Sequence, residues 1–221
     1  MGIYEFAGCV VSYEPLYGLL RRRMETYRSD TERQPDITLD GMKEDYEKLR
    51  KQYPHLSIEE CEYSCAGAEF YMKLLKHQGF MIHASAVEKE GKAYLFSAPS
   101  GTGKSTHAQL WRQTFKGEPI RIINDDKPAV CLQNGVFYAC GTPFSGKTDK
   151  NENRKAPIQG LCMLHRGKTN KIQKITSGEA LPLILPQTLF YGDEEETNLL
   201  LSFLDRFLQS VPVYKMECTM E

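Results

Sequence analysis

No stretch of this 221-residue sequence is apolar for the length a membrane-crossing helix requires. Neither charge predominates. Twenty-eight lysines and arginines face 29 aspartates and glutamates, a formal net charge of -1, so there is no global pull toward nucleic acid or an anionic membrane. No pair of the seven cysteines has CxxC spacing. Cys61 and Cys65 stand one helical turn apart without two further ligands close by, and His55 and His77 are not at finger spacing, which argues against a zinc module. An odd set of thiols fits reduced cysteines in a cytoplasmic protein. Met1-Gly2-Ile3-Tyr4-Glu5-Phe6 lacks a basic region leading into an apolar one, so no secretory signal is expected, and Phe6 stands where a myristoylation motif wants Ser or Thr. Internal repeats and low-complexity tracts are missing as well. What remains is an ordinary globular composition, 41% apolar and 26% charged, long enough for one core with a small appended lobe.

Periodicity predicts an α/β chain in two parts. In residues 1–78, a strand is expected over 3–13, helices over 15–27, 41–52 and 66–77, and a short strand over 36–39, together a small N-terminal α+β lobe. Arg21, Arg22 and Arg23 form a basic run that suits a solvated helix face or a phosphate or partner site. In residues 79–221, the runs 80–87 and 92–97 form a hairpin, a helix follows over 104–115, and a strand over 119–124 completes a βαβ unit whose two strands are parallel. A second hairpin turns at Gln133-Asn134-Gly135. A polar loop over about 141–157 has the length of a functional or mobile segment. Strands over 158–165 and 171–175, a helix capped by Asp193 and a last strand over 211–216 close the domain.

The chemistry concentrates where strand 92–97 meets helix 104–115. Ala98-Pro99-Ser100-Gly101-Thr102-Gly103-Lys104-Ser105 has the Walker A pattern with Ala for its first Gly, and it lies between a strand and a helix as that pattern requires. Gly101 and Gly103 let the chain turn so that the N–H groups of Ser100 to Thr106 point at phosphate oxygens, reinforced by the helix N-terminus. Lys104 is placed to reach the β- and γ-phosphates and Ser105 to bind magnesium. Asp125-Asp126 ends the next strand of the βαβ unit. One carboxylate there suits the metal and the other suits a proton from an attacking hydroxyl, with no sign of which is which.

These residues resemble the P-loop kinase group that includes the C-terminal catalytic domain of HPr kinase/phosphorylase and the phosphoenolpyruvate carboxykinases. The resemblance rests on His83 in HASAV entering the loop, on SGTGKST from Ser100 to Thr106, and on NDDKPAV from Asn124 to Val130. It spans about residues 80–175, and the first 78 residues match nothing in that group. It implies a P-loop kinase-like mixed sheet, ATP or another nucleotide as donor, Mg²⁺, and His83 orienting one of the aspartates. It further implies an arginine of the later loop on the transferring phosphate, for which Arg154 is the candidate and Lys147 a second. The chain is too short for the large N-terminal domain of a carboxykinase and shows no second-metal ligand set, so decarboxylation is not expected. The HPr kinase N-terminal domain and C-terminal signature are not recognisable either. The chain looks nearest to stand-alone members that phosphorylate a serine, free or in a peptide or protein. A P-loop hydrolase and a nucleotide-sensing module are the alternatives. No nucleic acid or membrane partner is expected, and homo-oligomerisation stays open.

Overall fold

A computed structural model of the chain describes every residue except 116, 118, 190, 191, 220 and 221. The first 13 residues form a hairpin where the sequence predicts one strand. β1 (Gly2–Phe6) and β2 (Cys9–Tyr13) are antiparallel and turn at Ala7 (φ 53°) and Gly8 (φ 79°). Two consecutive residues at positive φ match the twist of a tight hairpin, and an alanine in such a position gives no turn signal. β3 (Ile37–Thr38) adds to β2 in parallel.

Three helices follow or flank this sheet: α1 (Gly18–Met24), α2 (Lys43–Gln52) and α3 (Ile58–Leu74). α3 begins eight residues before the helix expected over 66–77. Ser57 Oγ accepts the Glu60 N–H while the Glu60 carboxylate accepts the Ser57 N–H, and this reciprocal cap starts the helix early. Cys61, Tyr63, Ala66, Phe70 and Leu74 then continue one buried stripe.

The second sheet is mixed. Its strands are β4 (Gly79–Met81), β5 (Ala84–Lys89), β6 (Lys92–Ser97), β7 (Arg121–Asn124), β8 (Ala129–Gln133), β9 (Val136–Cys140), β10 (Lys155–Arg166), β11 (Lys171–Ile175) and β12 (Val213–Cys218). The order is β4-β8-β9-β10-β6-β5-β7, with β12 parallel to the end of β10 and β11 outside β12. β10 is the hinge of the sheet. Lys155 to Pro157 pair with β9, and Ile158 to Met163 pair in parallel with β6. β6 and β7 are parallel, as the βαβ pattern predicts, but they are not neighbours. β5 lies between them, antiparallel to both.

α4 (Lys104–Thr114) covers one face of this sheet through Ala108 and Trp111. α5 (Ser177–Ile184) and α6 (Glu194–Ser210), the latter capped by Asp193, cover the other. A further core joins β1, β2, α1 and α3 to Met81, Ala129, Cys131, Cys140 and Phe144. Phe144 pins the start of the expected polar loop. It is fully buried among the rings of Tyr63, Phe70 and Tyr71, and Thr142 and Ser145 beside it are buried too. All seven cysteines are free thiols, and no helix among the described residues is long and apolar enough to cross a membrane.

Candidate functional site

Strand register brings the candidate residues to one edge of the sheet. Ala84 stands opposite Ser97, so His83 and Ala98 leave β5 and β6 side by side. Ala86 stands opposite Asn124, so Asp125 and Asp126 leave β7 at the same edge. The segment Ala98–Gly103 then turns back into α4. Gly101 (φ 78°) and Gly103 (φ 118°) hold conformations that side chains disfavour, and no atom lies within 4 Å of where their Cβ would be. The loop is therefore open above its glycines. Lys104, the first residue of α4, is buried, and its Nζ donates to the Ala98 carbonyl at 2.9 Å. Burial lowers its pKa, opposed by the charges of Asp126 and Asp125. Ser105 is half-buried in the first turn of α4, and Thr106 and Ser100 are exposed.

The two aspartates, adjacent in sequence, have different surroundings. Asp125 is buried, and each of its oxygens accepts a hydroxyl: Oδ1 from Ser85 at 2.6 Å and Oδ2 from Thr148 at 2.9 Å. The Asp126 side chain is 26% exposed, and its Oδ1 lies 3.1 Å from His83 Nε2. Lys127 Nζ stands 3.6 Å from its Oδ2. Burial pushes the Asp126 carboxyl up. The His83 hydrogen bond and the nearby charges of Lys127, His83 and Lys104 outweigh burial and hold it below the ordinary value. Asn124 shapes this corner. Its Oδ1 accepts the N–H groups of Asp126 and Lys127 at 3.0 and 2.8 Å, and its Nδ2 donates to Thr142.

Residues that sequence reasoning did not assign to this site complete the wall around Asp126. Tyr63 of α3 accepts the Gly146 N–H at 2.9 Å, and burial pushes its hydroxyl up to about 12. The Arg23 guanidinium lies over the Tyr63 ring at 4.8 Å and donates to the Gly146 carbonyl. Its Nε is 3.0 Å from Asp149 Oδ1 but not aligned for a hydrogen bond. Lys127 Nζ also faces the Tyr63 ring, at 5.2 Å. Ser85 and Thr148, which hold Asp125, were likewise not anticipated. Of these, Arg23 lies in the basic run 21–23 and Lys127 in the NDDKPAV segment.

Arg154 is not brought to the aspartates. Its Nε and Nη2 donate to Glu88 at 2.9 and 3.1 Å, and Glu152 lies nearby. Glu88 pairs with Arg121 near the end of β5 away from His83. Two carboxylates, Glu88 and Glu152, hold the Arg154 guanidinium toward that end of the strand. Lys147 is exposed, in a short 3₁₀ turn at Gly146–Thr148.

Among the described residues no cluster of three His, Cys, Asp or Glu side chains could hold a metal. Mg²⁺ at a phosphate site takes one or two carboxylates together with substrate phosphates and water, and Asp125, Asp126 and Ser105 fit that sparser requirement. A surface cleft of about 660 Å³ lies between β11 and the end of α6 and shares no residue with this site.

No protein-family model matches the chain, and no curated protein matches its sequence. Among solved structures, the HPr(Ser) kinase/phosphatase from Coxiella burnetii aligns with 64% of this chain and 86% of its own length, at 10% identity and a TM-score of 0.36. So distant a likeness supports no functional argument.

Proposed function

We propose that this chain is a magnesium-dependent phosphotransferase that moves the terminal phosphate of a nucleotide to a hydroxyl of serine type. The observation that carries the proposal is the His83–Asp126 pair, at 3.1 Å, on the same sheet edge as the glycine loop and Lys104. A phosphate-binding loop alone serves hydrolases and sensors equally. A partly exposed carboxylate oriented by a histidine beside that loop suits removal of a proton from an acceptor alcohol.

The assignments follow from the environments. The open glycine loop and the α4 N-terminus receive the phosphates through backbone N–H groups, and Lys104 turns from the Ala98 carbonyl to their oxygens. Asp126, ionised at neutral pH and reachable from solvent, takes the acceptor proton. His83 fixes its orientation. Asp125, clamped by two hydroxyls, and Ser105 hold the metal, which when bound neutralises charge on the phosphates. Arg154 would have to leave Glu88 to act, so we assign neutralisation of the phosphoryl group in transfer to Lys127 instead.

The test is transfer of label from γ-labelled Mg·ATP, in single turnover, to free serine and to serine peptides. Label on an acceptor, reduced by roughly 10²–10⁴ in Asp126→Asn with nucleotide still bound, is the expected result. Label released only as free phosphate identifies a hydrolase. Tight binding without turnover, unchanged in Asp126→Asn, identifies a sensor.

A further inference from the structure

Along the sheet edge the groups stand in the order Asp126 after β7, His83 before β5, the glycine loop after β6, and Arg166 at the end of β10. If the terminal phosphate points toward Asp126, the rest of the donor extends toward β10. On that side lies a cavity of about 420 Å³, within the ~300–1,000 Å³ common for small-molecule sites. Its lining includes Pro99 and Thr102 of the glycine loop, Met163 and His165 of β10, and Leu183 and Gln187 from α5 and the turn after it. Its walls are largely apolar. Thr102, His165, Arg166 and Gln187 are its polar members, and Gln187 is the most buried of them. It is only 8% exposed, its main-chain carbonyl accepts the His83 N–H at 2.7 Å, and its side-chain carboxamide has no hydrogen-bond partner among the described residues. The carboxamide is not sealed from solvent, so it is available to a molecule that enters the cavity.

We propose that this cavity binds the adenine of the donor nucleotide, held between Pro99, Met163 and Leu183 and read by the Gln187 carboxamide. The proposal rests on the phosphotransferase assignment above and names its donor. A carboxamide offers one donor and one acceptor, which matches the N6–H and N7 of adenine. Guanine presents two acceptors, N7 and O6, that suit a cation. The guanidinium in the lining, Arg166, is turned toward the phosphate loop, its Nη2 donating to the Gly101 carbonyl at 2.6 Å. Arg166 thereby ties the floor of the base site to the phosphate loop, so the two halves of the nucleotide meet one connected surface.

The experiment is calorimetric titration of the full chain with Mg·ATP, Mg·GTP and magnesium tripolyphosphate. ATP is expected to bind at least about tenfold tighter than GTP or tripolyphosphate, in line with one bidentate base contact. Gln187→Ala is expected to bring ATP and GTP to similar affinity while leaving tripolyphosphate unchanged. Leu183→Trp, which fills the cavity, is expected to weaken both nucleotides and spare tripolyphosphate. The tripolyphosphate affinity of each variant reports whether the loop is folded. If Gln187→Ala loses it, Gln187→Met keeps the side-chain length without the carboxamide. Tripolyphosphate binding as tight as ATP, or an ATP-to-GTP ratio unmoved by the Gln187 change, overturns the base site and leaves the phosphate loop standing. Failure of all three ligands to bind overturns both.

Discussion

Asp126 and Gly146 are in direct steric dialogue: a Cβ added at Gly146 would sit 2.7 Å from the Asp126 carboxyl, at a position whose φ is 68°. Gly146→Ala is therefore expected to displace the carboxylate from His83, lowering phosphate transfer at least tenfold while leaving nucleotide affinity within about twofold, a split read by single-turnover rate against calorimetric binding. Because the Asp126 carboxyl is held low, it stays ionised well into acid. Its contribution to folding is present above its unfolded value, near 3.8, and is lost as pH falls through its lower folded value. By the same reasoning, an acid limb of the transfer rate at pH 5–6 would not belong to Asp126, and finding one that disappears in Asp126→Asn would contradict the assignment.

At the scale of elements, α3 connects the first 78 residues to the site. Tyr63 reaches Gly146 from its outer turn, Gly67 rests against the Phe144 ring, and Glu62 points the other way into the α1–β2 corner. Glu62 is fully buried. Its carboxylate accepts the N–H groups of Leu16 and Tyr17 at 2.5 and 3.1 Å and the Tyr13 hydroxyl at 3.1 Å. Burial raises its pKa above 4.5, and those hydrogen bonds only partly offset the shift. The folded state then holds the proton more tightly than the unfolded one. The stabilisation from that proton is complete below pH 4.5 and is lost as pH rises through the higher folded value. Glu62→Gln, which cannot titrate, is expected to remove this decline. Urea melts of both forms between pH 4 and 7 would show it, and parallel curves for the two proteins would rule it out.

For the whole molecule, the decisive packing is between distant parts of the chain. Phe144 joins the loop after β9 to α3, and Cys131 and Cys140 of β8 and β9 share a core with β1 and β2. Phe144→Ala is expected to cost about 3–5 kcal/mol, as loss of a buried ring does. The same contact supports Gly146 from below, so transfer should fall with stability. Expressed alone, residues 79–221 would expose Ala129, Cys131, Cys140 and Phe144 to water, and are expected to be less soluble and less cooperative in thermal unfolding than the full chain. A soluble fragment with an unchanged Tm would refute this.

The glycine turn between β6 and α4 and the two aspartates at the end of β7 were legible in the sequence because each depends on local chain chemistry, whereas the strand expected over 80–87 is split, with His83 between β4 and β5. The two hairpins at Gly91 and Asn134-Gly135 were legible for the same reason, whereas the Ala7-Gly8 turn was hidden by an alanine at positive φ. The tertiary structure decided the rest. Whether Asp125 or Asp126 faces the solvent depends on hydroxyls 40 and 23 positions away in the chain. The Tyr63–Arg23–Lys127 wall, the capture of Arg154 by Glu88 and the unpaired Gln187 amide all arise from contacts between segments far apart in the chain. Such contacts leave no periodicity or motif, because only packing of the whole chain fixes which surfaces meet.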